Sequence, residues 1–537
     1  MKKRVYFRTN QSNLVGWGHF NRCSHLANTL LKLGCHVVIW LDKLTPKTAV
    51  LHSNIKINNI YDGCEFTEQM DDAIHFWNCI KSSCPDVIVV DDYRISANWE
   101  NFFRCRGIKV VVLDDENTRT HVADVLVDSK WDGEQTFSRY QGKLNKDCIK
   151  LLGYKYIMAD PVYSKLGRLK YESCDDNFGN ILINIGGGGD WALYTEFLKV
   201  LVAACKDITL TIRPIIGPLA KNYESVYELA SRFSCVQPCS APQGLAELFQ
   251  QSDFFITAAG GSLFEALAAR IPCLSFAVGQ NQDNSAEALA DFGHYLCLDE
   301  LHSTDMEKFA ILCSTLIKQK RRILRMYNDK PSIEIDGHGL ARVADQIMCL
   351  INPNHKNFVK YNYHKQKSIK TNDEWILEKV DDKWVHRYLS ARNLDKNLHK
   401  MTETKKIKIL DHFLWWFNEN DRKSYVLFRH GKAQLIFWHK LFKCDSQAVM
   451  VGGWFICNDD VPGSVAFKAL YEQLYITDRD FPGVPWVAVI KADNYFVQKM
   501  NERFGFVEQQ HNSTYAKIAK CAFPFSKEAD FKYFTRV

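Results

Sequence analysis

A glycine-bearing loop and a histidine lie close together near the start of the chain. Gly16, Gly18 and His19 follow an apolar strand candidate at residues 5–7, and apolar residues then recur at helical spacing up to Leu31. Free backbone N–H groups and the positive end of a helix attract an anion at such a position, and a histidine there can transfer protons near neutral pH. The pattern indicates either a phosphate-binding catalytic loop or a tight strand–helix turn that the histidine caps.

Strand candidates in the first segment end in carboxylates. The runs 86–92 and 109–115 are rich in β-branched residues, which is typical of parallel strands buried on both faces. The carboxyl ends of such strands open onto a cleft, so acidic side chains there can face a ligand. Each one also has the ordinary interpretation of a helix N-cap or a turn residue. The aspartates at these ends are Asp91, Asp92, Asp114 and Asp115.

Glycines also follow strand candidates in a second alternating segment. The run 180–185 leads into the glycines at 186–189, and the run 253–257 leads into Gly261 and Ser262. This order predicts a second doubly wound sheet with its own glycine-rich strand ends. Two such domains that face each other form the crevice of many nucleotide-sugar enzymes.

These patterns predict an α/β chain of two doubly wound, Rossmann-like domains followed by a mixed α+β domain. The first domain spans residues 1–165 and carries the histidine loop, and the second spans 166–351. The polar, lysine-rich interval 352–372 contains few apolar residues and is interpreted as a linker. The last segment, 373–537, holds most of the tryptophans and forms the mixed domain.

The composition argues against several classes of protein. With 537 residues, 46% of them apolar and 24% charged, the chain can bury large globular cores. A net charge of +6 without a basic stripe argues against nucleic acid as a partner, and no apolar run is long enough to span a bilayer. The 18 cysteines are scattered without a CxxC pair, which predicts buried thiols in a reduced cytoplasm rather than disulfides or a metal site.

The opening stretch resembles a known family. Arg8, Gly16, Gly18, His19 and Arg22 match the R-x-D and IGxGHxxR pattern of the UDP-sugar hydrolases of pseudaminic acid biosynthesis, which remove UDP from 2,4-diacetamido-2,4,6-trideoxy-β-L-altropyranose. Further matches follow in the family's order over about residues 3–350. They are 91–96 for its D-x-Y-x-x stretch, 113–116 for its DDE, Gly186, Gly187 and Asp190 for its GGxD, 262–267 for its S-x-x-E-A-L, and Asn281 with Gln282 for its NQ pair.

Two positions depart from that family's pattern. Asn10 stands where an aspartate is usual, and Asp160 stands where the family tends to carry an arginine. These differences bear on the identity of the sugar more than on the chemistry.

The resemblance implies a glycosyltransferase-B-like pair of domains that binds a UDP-linked amino-deoxy sugar. His19 would act as general base on water beside the anomeric carbon, and Tyr93 and Asn281 would position the sugar or the water. Glu265 would accept hydrogen bonds from the ribose hydroxyls. No metal is expected, because helix N-termini can neutralise the diphosphate. The implied UDP and substrate contacts are Arg8, Gly16, Gly18, Arg22, Gly186, Gly187, Gly261, Ser262, Glu265 and Gln282.

The last domain resembles the GNAT acyltransferases through its final motif. The strand candidate 486–490 precedes Asn494 and a helix that ends in the run 503–506, as in the family's N-x-x-A-x-x-L-Y-x-K-x-G-F. Val497 stands at the small-residue position, and Asn501 stands where a tyrosine often serves as general acid. The resemblance implies acetyl-CoA as the acyl donor.

The GNAT loop for the acyl-CoA pyrophosphate has the pattern R/Q-x-x-G-x-G/A. The corresponding stretch 458–466 contains one glycine, no arginine and two carboxylates. Carboxylates beside a pyrophosphate are unfavourable unless they point away from it. The resemblance places the acetyl-CoA contacts at Gly463, Ser464 and Asn494.

Together, the two resemblances predict a bifunctional cytoplasmic enzyme of nonulosonic (pseudaminic) acid biosynthesis. The last domain would acetylate the 4-amino group of a UDP-sugar, and the first two would then hydrolyse off UDP, so that one chain joins consecutive steps. Two alternatives stay open. The first is a glycosyltransferase in which a sugar or lipid acceptor replaces water, and the second is a hydrolase whose last domain is a non-catalytic binding or dimerisation module.

Overall fold

A computed structural model of the chain describes residues 2–10, 18–43, 55–61, 66–166, 176–241, 244–279, 282, 284–327, 331–352, 354–355, 375–444, 447–526 and 530–537. Gly16, Asn281 and most of the expected linker lie outside these residues. The chain divides into two compact units, Met1–Tyr363 and His364–Val537. The first unit holds two parallel sheets, and the second holds one mixed sheet.

The first sheet is parallel and buried on both faces. Its strands are β1 Arg4–Thr9, β2 His36–Leu41, β3 Lys56–Asn59, β4 Val87–Asp91, β5 Lys109–Leu113, β6 Val125–Asp128 and β7 Ile149–Leu152. They lie in the order β3–β2–β1–β4–β5–β6–β7. Every residue of β4 is buried, because apolar clusters cover both faces of the sheet and exclude water from its β-branched side chains.

The second sheet is also parallel. Its strands are β8 Asn180–Asn184, β9 Thr211–Pro214, β10 Phe254–Ala258, β11 Cys273–Phe276 and β12 Cys297–Leu298, in the order β12–β11–β10–β8–β9. The sequence predicts a strand at 208–212, whereas β9 begins at Thr211. The difference arises because the N–H of Ile208 bonds back to the carbonyl of Cys205 in a turn.

Helices connect the strands of the first unit in the alternating pattern that a parallel sheet requires. Those before β8 are α1 Gly18–Lys32, α2 Gln69–Ile80, α3 Ala97–Arg104 and α4 Pro161–Lys165. Those after β8 are α5 Trp191–Ala204, α6 Glu224–Arg232, α7 Ala246–Gln250, α8 Gly261–Ala269, α9 Ala286–Asp291, α10 Met306–Ile317, α11 Lys320–Tyr327 and α12 Gly339–Ile351. The sequence predicts a helix from about Trp191 to Ala204 after the glycines at 186–189, and α5 has these bounds.

The helix α12 returns to the first sheet, although it lies in the range expected for the second domain. Leu340, Val343 and Ile347 are buried in the same apolar cluster as Phe7 and Val89. The apolar face of α12 is therefore part of the first core. As a result, the predicted division into 1–165 and 166–351 does not separate the residues that pack on the two sheets.

The second unit contains a mixed sheet with helices on both faces. Its strands are β13 Trp375–Lys379, β14 Lys423–Arg429, β15 Lys432–Cys444, β16 Gln447–Ile456, β17 Trp486–Lys491, β18 Val507–Gln509 and β19 Phe531–Arg536. They lie in the order β13–β14–β15–β16–β17–β19–β18. The helices are α13 Val385–Arg392, α14 Asp395–Leu398, α15 Ile409–Asn418, α16 Ser464–Asp480, α17 Tyr495–Arg503 and α18 Thr514–Ala522.

Two neighbouring strands of this sheet separate along their length. β16 and β17 run parallel, and in the described residues their ladder joins only Met450 to Trp486 and Val451 to Val487. Both strands continue beyond these pairs, β16 to Ile456 and β17 to Lys491. We call the gap between the diverging ends the fork.

Alternate side chains of β15 face opposite sides of this sheet. Phe437 and Leu441 pack with residues of α16, such as Ala466. Trp438 and Phe442 pack with α18 instead. The sheet therefore has an α16 face and an α18 face, and the fork opens between them.

Two further properties concern the described part of the chain as a whole. Within it, no helix combines the length and the apolar character that a bilayer crossing needs. Its cysteines form no disulfide, and many of them, such as Cys23 and Cys273, are fully buried.

Candidate functional site

The histidine at the start of α1 lies beside a carboxylate at the end of a neighbouring strand. His19 is the second residue of α1, and Asp91 ends β4, which pairs with β1 so that Thr9 lies opposite Asp91. Nδ1 of His19 is 2.5 Å from Oδ1 of Asp91, and both side chains are buried. An ionised carboxylate at Nδ1 favours the tautomer whose proton is on that nitrogen, which leaves Nε2 as a proton acceptor. This geometry suits His19 to act as a base through Nε2.

Arg22 connects two carboxylates one turn further along α1. Its Nε and Nη2 each lie 2.6 Å from an oxygen of Asp91, and its Nη1 lies 2.7 Å from Oδ2 of Asp115. Burial opposes ionisation of Asp91, but Arg22 and His19 outweigh burial and hold the pKa of Asp91 well below its usual range. Asp91 is therefore a carboxylate near neutral pH. Arg22 orders the site and keeps 20% of its side-chain surface exposed.

Tyr93 packs against the histidine. Its ring meets His19 edge-on, with the ring centroids 4.4 Å apart. The Tyr93 hydroxyl donates a hydrogen bond to Oδ1 of Asp115. Burial and the Asp115 charge raise the pKa of Tyr93, so the phenol keeps its proton at neutral pH. This contact suits Tyr93 to fix the orientation of the imidazole.

Arg8 does not lie where a substrate contact would place it. Its side chain is completely buried, and its Nη2 lies 2.7 Å from Asp72 and 2.6 Å from Asp42. Asp72 also accepts hydrogen bonds from Tyr61 and Trp99. The expected contact of Arg8 with UDP or the substrate is therefore corrected. Carboxylates enclose the guanidinium, which stabilises the end of β1.

A second buried network supports the loop after β5. His121 lies 2.7 Å from Glu100 and 3.5 Å from Asp114, and Arg119 also bonds Asp114. Burial opposes protonation of His121, but Asp114 and Glu100 outweigh it and raise the pKa of His121 to about 9. The network fixes the backbone that leads to Asp115, the carboxylate shared by Arg22 and Tyr93.

Gly186 and Gly187 form a compact turn after β8. Gly186 has a φ of +91°, a conformation that favours glycine, and its N–H donates to Oδ1 of Asn184 at 3.0 Å. A side chain on Gly217 would lie 2.5 Å from the carbonyl oxygen of Gly187, so two backbone turns are in direct contact there. Asp190 then caps α5 by accepting the N–H of Ala192 at 2.9 Å.

Gly261 and Ser262 begin α8 at the carboxyl end of β10, the strand next to β8. The first N–H groups of a helix have no partner within the helix, so this position can accept an anion. The hydroxyl of Ser262 lies 3.0 Å from the hydroxyl of Thr257. Gln282 is close by, because a side chain on Gly260 would lie 3.5 Å from Nε2 of Gln282.

Glu265 lies one turn into α8 and is partly exposed. Burial raises the pKa of Glu265 to about 8, an effect that Tyr163 opposes and Asp160 increases. The Tyr163 hydroxyl also accepts the N–H of Leu245 at 3.0 Å. A carboxyl group with this raised pKa is largely protonated near pH 7. Ligand hydroxyl groups that donate hydrogen bonds to it would favour its ionised form.

The second unit contains a large cavity at the fork. Its volume is about 1300 Å³, and Gly452, Gly453, Val489 and Ile490 of the diverging strands line it. On the α16 face its walls include Val461 and Ala466, with Gly463 between them in the sequence, and on the α18 face they include Trp438 and Phe523. The cavity therefore passes from one face of the sheet to the other.

The three residues expected to contact acetyl-CoA occupy different positions. Gly463 precedes α16 and Asn494 precedes α17, and both line the cavity. Ser464 is the exposed first residue of α16 and is not among the described residues that line it. Neither Asp459 nor Asp460 belongs to that lining, so the two carboxylates of the 458–466 stretch do not face the cavity.

Sequence reasoning missed several functional candidates that the structure brings forward. Asp91 is expected as a cleft-facing carboxylate or as a cap or turn residue, but its pairing with His19 is not expected. The signal for it is strand order, since β4 lies next to β1 although their first residues, Arg4 and Val87, are 83 positions apart in the sequence. Arg392 and Arg422 line the fork cavity and belong to no motif. In the described residues, no group of three His, Cys, Asp or Glu side chains is placed to hold a metal ion.

No family model matches the chain. The chain is 21% identical to the UDP-2,4-diacetamido-2,4,6-trideoxy-beta-L-altropyranose hydrolase of Campylobacter jejuni over 292 residues, which are 54% of this chain and 97% of that protein. It is 29% identical to the spore coat polysaccharide biosynthesis protein SpsG of Bacillus subtilis over 31% of this chain and 48% of that protein. It is 25% identical to the uncharacterised protein MJ1062 of Methanocaldococcus jannaschii over 50% of this chain and 54% of that protein. The chain thus spans about half the length of the last two relatives.

Solved structures resemble the chain with TM-scores below 0.5 in the two examples that follow. A complex of Staphylococcus aureus MnaA with UDP covers 67% of this chain and all of its own, with a TM-score of 0.45 and 11% identity. A phosphinothricin N-acetyltransferase structure covers 30% of this chain and 98% of its own, with a TM-score of 0.25 and 16% identity. Scores of this size do not by themselves specify an activity.

Proposed function

We propose that the first unit hydrolyses the bond between UDP and an acylated amino-deoxy sugar of the 2,4-diacetamido-2,4,6-trideoxyhexose class. The observation that carries this proposal is the buried contact between Nδ1 of His19 and Asp91, which leaves Nε2 as a base. The Campylobacter relative, named as a hydrolase of such a UDP-sugar and matched over 97% of its length, supports the substrate class.

The chemistry requires a water molecule to attack the anomeric carbon while the bond from that carbon to the diphosphate oxygen breaks. Nε2 of His19 takes the proton of the water, and the bond electrons leave with UDP. Asp91 stabilises the imidazolium that forms, because it is ionised and hydrogen-bonded to Nδ1. General base catalysis by a positioned side chain typically contributes about 10²–10⁴-fold to the rate.

The second sheet supplies groups for the nucleotide. The N–H groups at Gly261 and Ser262 would neutralise the diphosphate, and the Gly186–Gly187 turn at the neighbouring strand end would lie beside it. Glu265 would accept hydrogen bonds from the ribose hydroxyls in its ionised form. UDP is already a good leaving group, so the reaction does not need a general acid to protonate the departing oxygen.

The test is UDP release from UDP-2,4-diacetamido-2,4,6-trideoxy-β-L-altropyranose in ¹⁸O-enriched water by the full chain and by His19→Ala. We expect wild type to release UDP without ¹⁸O, because water attacks carbon, and His19→Ala to bind UDP but release at least about 100-fold less. UDP that carries ¹⁸O would place the attack on phosphorus and contradict the mechanism. Release that requires an added sugar or lipid acceptor would assign the chain to the glycosyltransferases instead.

We also propose that the second unit transfers an acetyl group from acetyl-CoA to the sugar amine. The observation that favours this activity is the fork cavity, in which β16 and β17 diverge after a two-residue parallel ladder. The acyl end of acetyl-CoA could pass between the strands. Backbone N–H and C=O groups of β16 and β17 beyond their ladder could form hydrogen bonds with it. The N-terminus of α16 at Gly463 would hold the pyrophosphate, because the positive end of a 17-residue helix lies there.

A further inference from the structure

Two arginines, Arg392 and Arg422, line the fork cavity near Tyr388. Arg422 lies over the ring of Trp438 at 3.6 Å and over the ring of Trp415 at 4.7 Å. Its Nη1 donates to the hydroxyl of Tyr388 at 3.4 Å, and Arg392 follows Tyr388 by one turn on α13. Stacking on an aromatic ring holds a guanidinium flat and leaves its edge for a planar or tetrahedral oxyanion.

Neither guanidinium forms a salt bridge within the described residues, although the charge of Glu403 acts on Arg392 and that of Glu419 interacts with Arg422. Each carries five N–H donors, yet among the described residues Arg392 donates one side-chain hydrogen bond, to the carbonyl of Glu403 at 2.8 Å, and Arg422 donates one, to Tyr388. Nη1 of Arg392 and Nε of Arg422 are shielded from water and meet no acceptor in that part of the chain. Glu419 lines the same cavity but bonds to Lys440 at 3.2 Å.

The two arginines also repel each other. Burial lowers the pKa of Arg392, the nearby positive charge of Arg422 lowers it further, and Glu403 acts against both effects. Two positive charges that form no salt bridge within the described residues repel each other in a partly enclosed space. An anion bound between them would offset this repulsion.

The position of the pair separates it from the expected acetyl-CoA phosphates. Arg422 lies over Trp438, whose side chain is on the α18 face of the sheet, whereas Gly463 lies at the start of α16 on the opposite face. The cavity joins the two positions through the fork. A donor whose pyrophosphate binds at α16 would present its acyl group at the fork, and the arginines would then face the acceptor.

We propose that Arg392 and Arg422 bind a phosphate group of the acyl acceptor, so that the second unit acetylates a phosphate-bearing amine such as a nucleotide-linked amino sugar. This inference rests on the proposed acetyl transfer for its acceptor, while the anion site itself rests on the geometry of the two arginines. Trp415 and Trp438 offer ring faces on which a base or a sugar of the acceptor can stack.

The site can be tested directly with inorganic pyrophosphate as the probe. Its binding to the full chain is measured by calorimetry for wild type, for Arg392→Gln/Arg422→Gln, and for the control Lys396→Gln/Lys406→Gln. The control removes two charges from the same cavity wall, but these lysines are already paired with Asp459 and Asp395 and are mostly exposed. An unchanged melting temperature of the second unit in each variant shows that this unit, which carries all four substituted residues, remains folded.

We expect wild type and the control to show the same set of pyrophosphate sites, and the double arginine variant to bind pyrophosphate at one of these sites at least tenfold more weakly. Equal binding by the arginine variant and the control would overturn the site. In acetyl-transfer assays that detect free CoA thiol, the arginine variant should raise KM for the nucleotide-linked amine at least tenfold and leave KM for acetyl-CoA within twofold. The reverse pattern would assign the arginines to the CoA phosphates and overturn the proposal. If wild type acetylates no amine, the proposed acetyl transfer fails, while the pyrophosphate comparison still decides the anion site.

Discussion

Oδ1 of Asp91 lies 2.5 Å from Nδ1 of His19, at the point where the parallel strands β1 and β4 end side by side. The pairing holds the histidine on one tautomer, and Arg22 holds Asp91 in its charged form. A base of defined orientation thus lies at the carboxyl edge of the first sheet. In an open α/β sheet, this edge is where ligands bind.

The role of Asp91 is tested by Asp91→Asn, which keeps the shape of the side chain and removes its charge. We expect kcat for UDP release to fall by at least about 100-fold, because the imidazolium loses its counter-ion and the tautomer is no longer fixed. KM should change little, since Asp91 is buried and does not face the substrate. The matched control is Asp147→Asn, an exposed carboxylate that should leave both constants unchanged. Equal rates for the two variants would show that His19 does not depend on Asp91.

The raised pKa of Glu265 makes UDP binding depend on pH. Ribose hydroxyls that donate to the carboxylate favour its ionised form, so UDP binding should release a proton from Glu265 below about pH 8. UDP affinity should therefore increase with pH between 7 and 8 and level off above about 8. Calorimetry in buffers of different ionisation enthalpy measures the released proton, and Glu265→Gln should remove the Glu265 part of it. Identical proton release by wild type and Glu265→Gln would rule out the ribose contact.

The His121 network makes stability depend on pH. The pKa of His121 rises from 6.5 to about 9 on folding, so its contribution is fully present below pH 6.5 and is lost as pH increases through 9. The contribution of this buried group is on the order of 3 kcal/mol. Between pH 6.5 and 9.5, the unfolding midpoint of the first unit should fall more steeply for wild type than for His121→Gln. Parallel curves for the two proteins would mean that the charge of His121 is not coupled to folding.

Two adjacent glycines of β16 offer a matched pair of substitutions at the fork. A side chain on Gly452 would lie 2.4 Å from the carbonyl oxygen of Trp438, whereas one on Gly453 would lie 3.3 Å from the Trp438 ring nitrogen. Gly452→Ala should therefore distort the fork, lower the melting temperature of the second unit by several degrees and abolish acetyl-CoA binding. Gly453→Ala should cost less, and UDP release should be normal in both. Equal acetyl-CoA binding by the two variants would argue against the fork as the donor site.

Much of the fold could be predicted from sequence patterns. Buried β-branched runs predicted β4 and β5 within two residues, and the helix from Trp191 to Ala204 was confirmed. The predicted bounds of β9 were less accurate, because the N–H of Ile208 donates to the carbonyl of Cys205 in a turn. The return of α12 to the first sheet could not be predicted from periodicity, which shows that a helix has an apolar face but not which core receives it.

The candidate site was only partly predictable. His19 and Glu265 stand out because they occupy the strand–loop–helix junctions where parallel sheets bind ligands. The partner of His19 depends on which strands are neighbours, and the burial of Arg8 depends on Asp72, which is 64 residues away. Arg392 ends α13 and Arg422 precedes β14, so the two come together only in the folded second unit. Such long-range contacts leave no mark in the local sequence.

The most direct test of the account is mass spectrometry of a one-pot reaction with the UDP-linked 4-amino sugar and acetyl-CoA. We expect wild type to yield UDP and the free diacetamido sugar, and His19→Ala to accumulate the acetylated UDP-sugar, because the second unit remains active. This pair of results would establish both activities and their order. Free sugar from His19→Ala at the wild-type rate, or no product from wild type, would contradict the account.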